Sequence, residues 1–181
     1  MSLPQQKFRE IVFQMLYSYD MGRANDEDML PLLMAELSVT RQSVRSAQER
    51  VHQVIAKQPE IDALIGKTTR SYNFERIQSV ERNVLRLGIF EILYDDGIPP
   101  KVAIAEALRL ARKFGTPESS TYVNALLDNI YKESIGETVD SGKISEVTEK
   151  LIESEEIAHK AALEKKEEAS DDEEGDGDVS S

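Results

Sequence analysis

Apolar side chains at Phe8, Ile11, Val12, Met15, Leu16 and Tyr19 recur at the spacing of one helix face. They predict a first helix over 5–21, with Pro4 near its first turn and Gly22 as its stop. Asp26–Leu37 reads as a short second helix whose acidic first turn suits the helix dipole. Thr40 is placed to cap a third helix, which Pro59 ends, and a fourth runs from Pro59 or Glu60 to about Tyr72-Asn73. A fifth spans Glu75 to Tyr94 with Ile77, Val80, Val84, Leu85, Ile89 and Ile92 inward. Gly88 lies on that face, at roughly 1 kcal/mol of helix propensity against alanine, which points to a neighbouring helix close by.

Asp95-Asp96-Gly97 stops the fifth helix, and Pro99-Pro100 opens a sixth with Ile104, Ala107, Leu108, Ala111 and Phe114 inward. Gly115 ends it. Thr116 caps a seventh helix, and Pro117 suits its first position. Val123, Leu126, Leu127, Ile130 and Tyr131 form the seventh stripe. No window alternates as a strand does, and the connections are short. The fold class is therefore all-α, a bundle of about seven helices.

From about Gly136 the pattern changes. Residues 143–168 read as weakly helical, with Ile144, Val147, Leu151 and Ile152 on one side; these leave open a short helix docked on the core. The closing EEASDDEEGDGDVSS has little to bury and is expected to be disordered. The chain thus divides into a helical domain, 1–136, and an acidic, largely disordered or weakly helical tail, 137–181. The net charge of −12 follows this division. Residues 1–136 hold 17 Lys/Arg and 18 Asp/Glu, a net of −1, whereas residues 137–181 hold 5 and 16, a net of −11.

The chain has no cysteine, which excludes disulfides, thiolate metal sites and cysteine nucleophiles. No apolar run reaches the roughly 18 residues of a membrane span, and the start lacks the order of a secretory signal. A soluble cytoplasmic protein with no membrane association is expected. His52 and His159 lie far apart in sequence, with no obvious nucleophile or second ligand beside either. No phosphate loop or zinc-protease motif occurs, and turn chemistry accounts for Asp95 and Asp96. Neither catalysis nor a cofactor is expected.

Several polar residues have two readings. Lys7 and Arg9, beside Gln5 and Gln6, suit phosphate and base contacts, or simply a solvated helix end. Arg82, Arg86, Arg109, Arg112 and Lys113 make a basic patch if their faces meet, or two solvated faces if they do not. Phe114 and Tyr122 flank one turn, and rings beside an amide such as Asn124 stack and read unpaired bases. Phe114 also fits the core. Tyr122 and Asn124 flank Val123 and read as lying off the buried stripe, displayed to solvent. Glu81 borders the buried face of its helix, with Glu91 further along; a carboxylate there anchors a basic partner or merely solubilises the helix.

The segments FREIVFQMLYSYD, SVERNVLRLGIFEIL, PPKVAIAEALRLARKFG and SSTYVNALLDNIY together resemble the NusB family of transcription antitermination proteins, over roughly residues 5–133. The resemblance implies two packed helical subdomains. It implies binding to boxA RNA of ribosomal RNA transcripts together with NusE, a ribosomal small-subunit protein, and action on elongating RNA polymerase. By position it assigns Lys7, Arg9, Phe114, Glu118, Tyr122 and Asn124 to RNA and Glu81 to the partner protein, with Tyr17 in the matching L-Y-S segment; Glu91, on the same helix as Glu81, is read with them as partner-binding. Gln5 and Gln6 stand where family members carry arginines, which implies weaker RNA binding alone and heavier reliance on NusE.

Two other readings accompany this one. The first is a NusB-like scaffold that binds proteins and little RNA. The second is a detached accessory domain of a ribosomal RNA cytosine methyltransferase, an enzyme whose own cofactor domain and cysteine nucleophile this chain lacks. The long apolar stripes would also serve a homodimer.

Overall fold

The computed structural model describes residues 3–22, 26–70 and 74–174. Among them the order is α1 (Gln5–Asp20), α2 (Asp26–Leu37), α3 (Arg41–Thr69), a 3-10 turn (Phe74–Arg76), α4 (Ser79–Tyr94), α5 (Pro100–Phe114), α6 (Pro117–Ser134) and α7 (Ser141–Glu174). No strand occurs among these residues. No helix among the described residues is long and apolar enough to cross a membrane. The helices pack as two subdomains, α1–α3 and α4–α6, which meet where α1 and α3 lie against α4.

Three boundaries depart from the sequence pattern. The expected third and fourth helices are one helix, α3, with Pro59 inside it. Pro59 is exposed, so its ring faces water, while the buried row Val44, Ala47, Val51 and Val54 resumes past half-buried Gln58 at Ile61 and Ile65. Burial of that row outweighs the roughly 3 kcal/mol that an interior proline costs. The expected fade at Tyr72-Asn73 lies outside the described residues. The fifth predicted helix starts at Ser79, because Phe74–Arg76 form a 3-10 turn ahead of it. The third departure is the tail, where Ser141–Glu174 is a continuous helix. Its residues Ile144, Val147 and Leu151 are buried with the core, packed on α6 and α3. Each such burial is worth roughly 1.5–3 kcal/mol before ordering costs. The disorder expected at the chain's end falls partly on 175–181, outside the described residues.

Two features fix the packing, one inside the second subdomain and one between the two. At Gly88, α4 comes close to α5 and α6: a Cβ built there would lie 3.0 Å from a methyl of Leu127 on α6 and 3.3 Å from Ala107 Cβ on α5. The second feature is Asp20 at the end of α1. One of its carboxylate oxygens accepts from Arg82 Nη2 at 2.6 Å, Ser79 Oγ at 3.0 Å and Asn83 Nδ2 at 3.1 Å. Arg86 Nη1 reaches the other oxygen at 3.2 Å and forks onto Asp62 of α3 at 2.8 Å through Nε and Nη2. Burial pushes the Asp20 carboxyl up, but the bonds from Arg82, Ser79 and Asn83 outweigh it and hold the group below the usual carboxylate range.

Candidate nucleic-acid interface

One end of the bundle gathers the C-terminal half of α1, the start of α4, the end of α5 and the start of α6. Thr116 caps α6 by a reciprocal box: its Oγ1 accepts from Ser119 N at 3.2 Å, and Ser119 Oγ accepts from Thr116 N at 3.0 Å. The Ser119 hydroxyl in turn donates to Glu81 Oε1. Gly115 makes this corner sterically feasible, because a Cβ there would meet Ala111 O and Ser119 Oγ at 2.8 Å.

Phe114 closes α5, half-buried, with its ring centroid 4.7 Å from that of Phe13 and Lys113 Nζ 5.7 Å from its own ring centre. Beside it opens an apolar groove of about 500 Å³ lined by Phe13, Tyr17, Met29, Leu32, Leu33, Val80 and Phe114. Leu32 is 63% exposed there. The sequence reading singled out Tyr17 and Phe114 but not the α2 wall of this groove, which only the packing of α2 against α3, across the groove from α1, creates.

The first turns of α1 lie along α5. Gln6 bonds Glu106, Glu10 accepts from Arg109 at 2.6 Å and from Lys113 at 2.9 Å, and Phe13 meets Phe114. Half-exposed Lys7 therefore stands about two helical turns from the corner, roughly 10 Å along the axis. The corner and the leading helix share one side of the molecule.

The assigned residues do not all face that side. Arg9 is only 6% exposed, and its Nε bonds both oxygens of buried Glu91 at 2.9 and 3.1 Å. The expected RNA ligand and the expected partner ligand neutralise each other inside the bundle. Burial pushes the Glu91 carboxyl up, against the pull of Arg9. Tyr122 is fully buried, which corrects its expected display, and Asn124 is half-buried. The reason is that α6 is covered on several sides, by α3, α4, α5 and α7, so it has no wide polar face. Glu118 remains half-buried on the first turn. Glu81 is 3% exposed and turned inward to Ser119; its second oxygen has no hydrogen-bond partner among the described residues.

The basic patch also resolves differently. Arg82 and Arg86 are spent on Asp20 and Asp62, and Arg109 on Glu10 and Glu106. Arg112 and Lys113 stay exposed at the end of α5, Lys113 with its ammonium on Glu10 at 2.9 Å. Pairs such as Arg9–Glu91 join residues more than 80 positions apart, beyond any local sequence signal.

The NusB family model matches residues 6–132. The transcription antitermination protein NusB of Chlamydia pneumoniae is 38% identical over 131 residues, covering 72% of this chain and 82% of that protein. The structure of T. maritima NusB superposes with a TM-score of 0.65 at 29% identity, covering 80% of this chain and 99% of that one. A crystal structure of antitermination factors NusB and NusE in complex with dsRNA matches with a TM-score of 0.62 at 25% identity, covering 71% and 96%. Matched along its helical core and over most of its relatives' length, the chain belongs to the NusB family of transcription antitermination proteins.

Proposed function

We propose that this protein is a non-catalytic, cytoplasmic RNA-binding antitermination factor that binds boxA RNA of ribosomal RNA transcripts together with NusE and acts on elongating RNA polymerase. One observation carries the reading: the Phe114 ring, packed at a tilt against Phe13 and flanked by Lys113, borders an open apolar groove at the α5–α6 corner. The exposed part of such a ring offers a stacking platform, and nearby cations supply phosphate contacts. Lys7, Arg112 and Lys113 take the cationic role, and Asn124 and Glu118 border the site as hydrogen-bonding groups. The groove with Tyr17 and Leu32 receives the protein partner. Glu81 supports the corner through Ser119. A similar NusB was crystallised with NusE and RNA, which favours the same assembly here.

The test is a titration of fluorescent boxA RNA and a scrambled control, with and without NusE. Preference for boxA that strengthens with NusE supports the reading. Equal binding of both RNAs under all conditions favours the protein-interaction scaffold, for which the burial of Arg9 is the supporting observation.

A further inference from the structure

The family match ends at residue 132, and α7 lies beyond it. Its course is fixed at two points. At its start, Asn129 Nδ2 near the end of α6 donates to Asp140 O at 3.3 Å. Fifteen residues on, Glu155 bonds Gln78 at the start of α4 and faces Glu81, the residue tied to Ser119 at the start of α6. Between these points Ile144, Val147 and Leu151 are buried. The helix thus runs antiparallel to α6 and reaches the α5–α6 corner at Glu155.

Past that point the stripe gives out. The positions that would continue it are Ser154, Ala158, Ala161 and Lys165, and residues 156–169 are all exposed. Yet the helix continues to Glu174. At 1.5 Å per residue, 156–174 extends about 28 Å beyond the docked half. That span holds 8 acidic and 3 basic residues. Its rigid attachment sets where the charge stands, unlike that of a freely moving tail.

We propose that α7 is an intramolecular competitor of RNA: its docked half fixes an acidic helical overhang beside the α5–α6 corner and so lowers the affinity of that corner for RNA. The proposal rests on the RNA-binding reading above. The Debye length is about 8–10 Å at ordinary ionic strength and about 30 Å at roughly 0.01 M salt, so Glu156 opposes an incoming phosphate chain under both conditions, and the rest of the overhang joins it at low salt and competes for the same cations, Arg112 and Lys113.

Two full-length triple variants test position against mere charge. E156Q/E164Q/E168Q removes three of the overhang's charges, and E133Q/E137Q/E146Q removes the same number of exposed carboxylates at the end of α6 and the start of α7, away from the corner. The overhang triple is expected to tighten boxA binding roughly threefold to tenfold at low salt, the far-end triple distinctly less, with the difference shrinking at high salt. Because the chain has no cysteine, I157C carries a single nitroxide label at a position 70% exposed. It should broaden the amide signals of 116–121 and spare the Asp95–Gly97 turn at the far end of α4.

Absence of that broadening overturns the proposal, as does an equal effect, or no effect, of the two triples on measurable RNA binding. If broadening is present but no form binds RNA, the RNA-binding reading itself fails and takes the proposal with it.

Discussion

Arg9 and Glu91 face each other inside the bundle, the guanidinium Nε 2.9 Å from one carboxylate oxygen and 3.1 Å from the other, both side chains under a tenth exposed. A residue that sequence position assigns to RNA is therefore a structural cation. Arg9→Ala should destabilise the fold by about 3–5 kcal/mol, because it strands a buried carboxylate. Arg9→Met with Glu91→Leu should recover most of that loss. Urea unfolding measures both. The double variant should keep the wild-type salt slope of RNA binding; a slope lower by about one would make Arg9 a phosphate ligand after all.

Phe114 allows packing and stacking to be separated. Phe114→Leu keeps an apolar plug against Phe13 but removes the ring. Stacking of a base on an aromatic ring is worth about 1–3 kcal/mol, so RNA affinity should fall roughly fivefold or more while the melting temperature shifts little. Fluorescence anisotropy and a thermal melt, run on the same preparation, check this. An unchanged affinity would leave Phe114 as core alone.

At Gly88 two effects oppose one another. Alanine improves helix propensity by about 1 kcal/mol, but its methyl would lie 3.0 Å from Leu127 and 3.3 Å from Ala107. Both neighbours are buried, and overpacking typically costs about 1–3 kcal/mol. Gly88→Ala should therefore be net destabilising in chemical denaturation. A stabilised variant would show that α4, α5 and α6 can separate more readily than their packing implies.

Docking of α7 should depend on pH. Burial, together with the Glu81 carboxylate facing it, pushes the Glu155 carboxyl up to about 7, although the bond to Gln78 pulls the other way. The Glu81 carboxylate it faces already accepts from the Ser119 hydroxyl of α6, and on α7 itself His159 is one turn on. An undocked Glu155 would titrate near its ordinary value of about 4.3. Docking therefore favours the protonated acid: its contribution is complete below about pH 4 and is lost as pH rises through 7. Normalised amide-exchange protection across 144–151 should fall between pH 5.5 and 8, and Glu155→Gln should flatten the profile. Protection that does not vary with pH, or that varies equally in the variant, would remove Glu155 from the latch.

Local chemistry made most of the fold legible. Pro100 marks the start of α5, and Gly115, Thr116 and Pro117 mark the α5–α6 corner, to within a residue, because capping and ring constraints act over one turn. Pro59 misled for the opposite reason: its local cost is real, but the row from Val44 to Ile65 that overrides it is a tertiary fact. The site was less legible. Tyr122 looked exposed because a single apolar stripe was assumed for α6, whereas a helix packed by four others has almost no outside. Nor could the sequence show that Arg9 and Glu91 are one unit, or that Met29 and Leu32 wall a groove beside Tyr17.

Asp20 has a consequence for how such a molecule can be regulated. A single carboxylate that binds donors from four α4 side chains, while Arg86 forks onward to α3, clamps both helical halves at once. Shear between the halves would break several charge-assisted bonds together, so the bundle is a poor lever. Control is better exerted by what lies on top of it, and an appended helix held by a few apolar side chains is the part that evolution can most readily loosen.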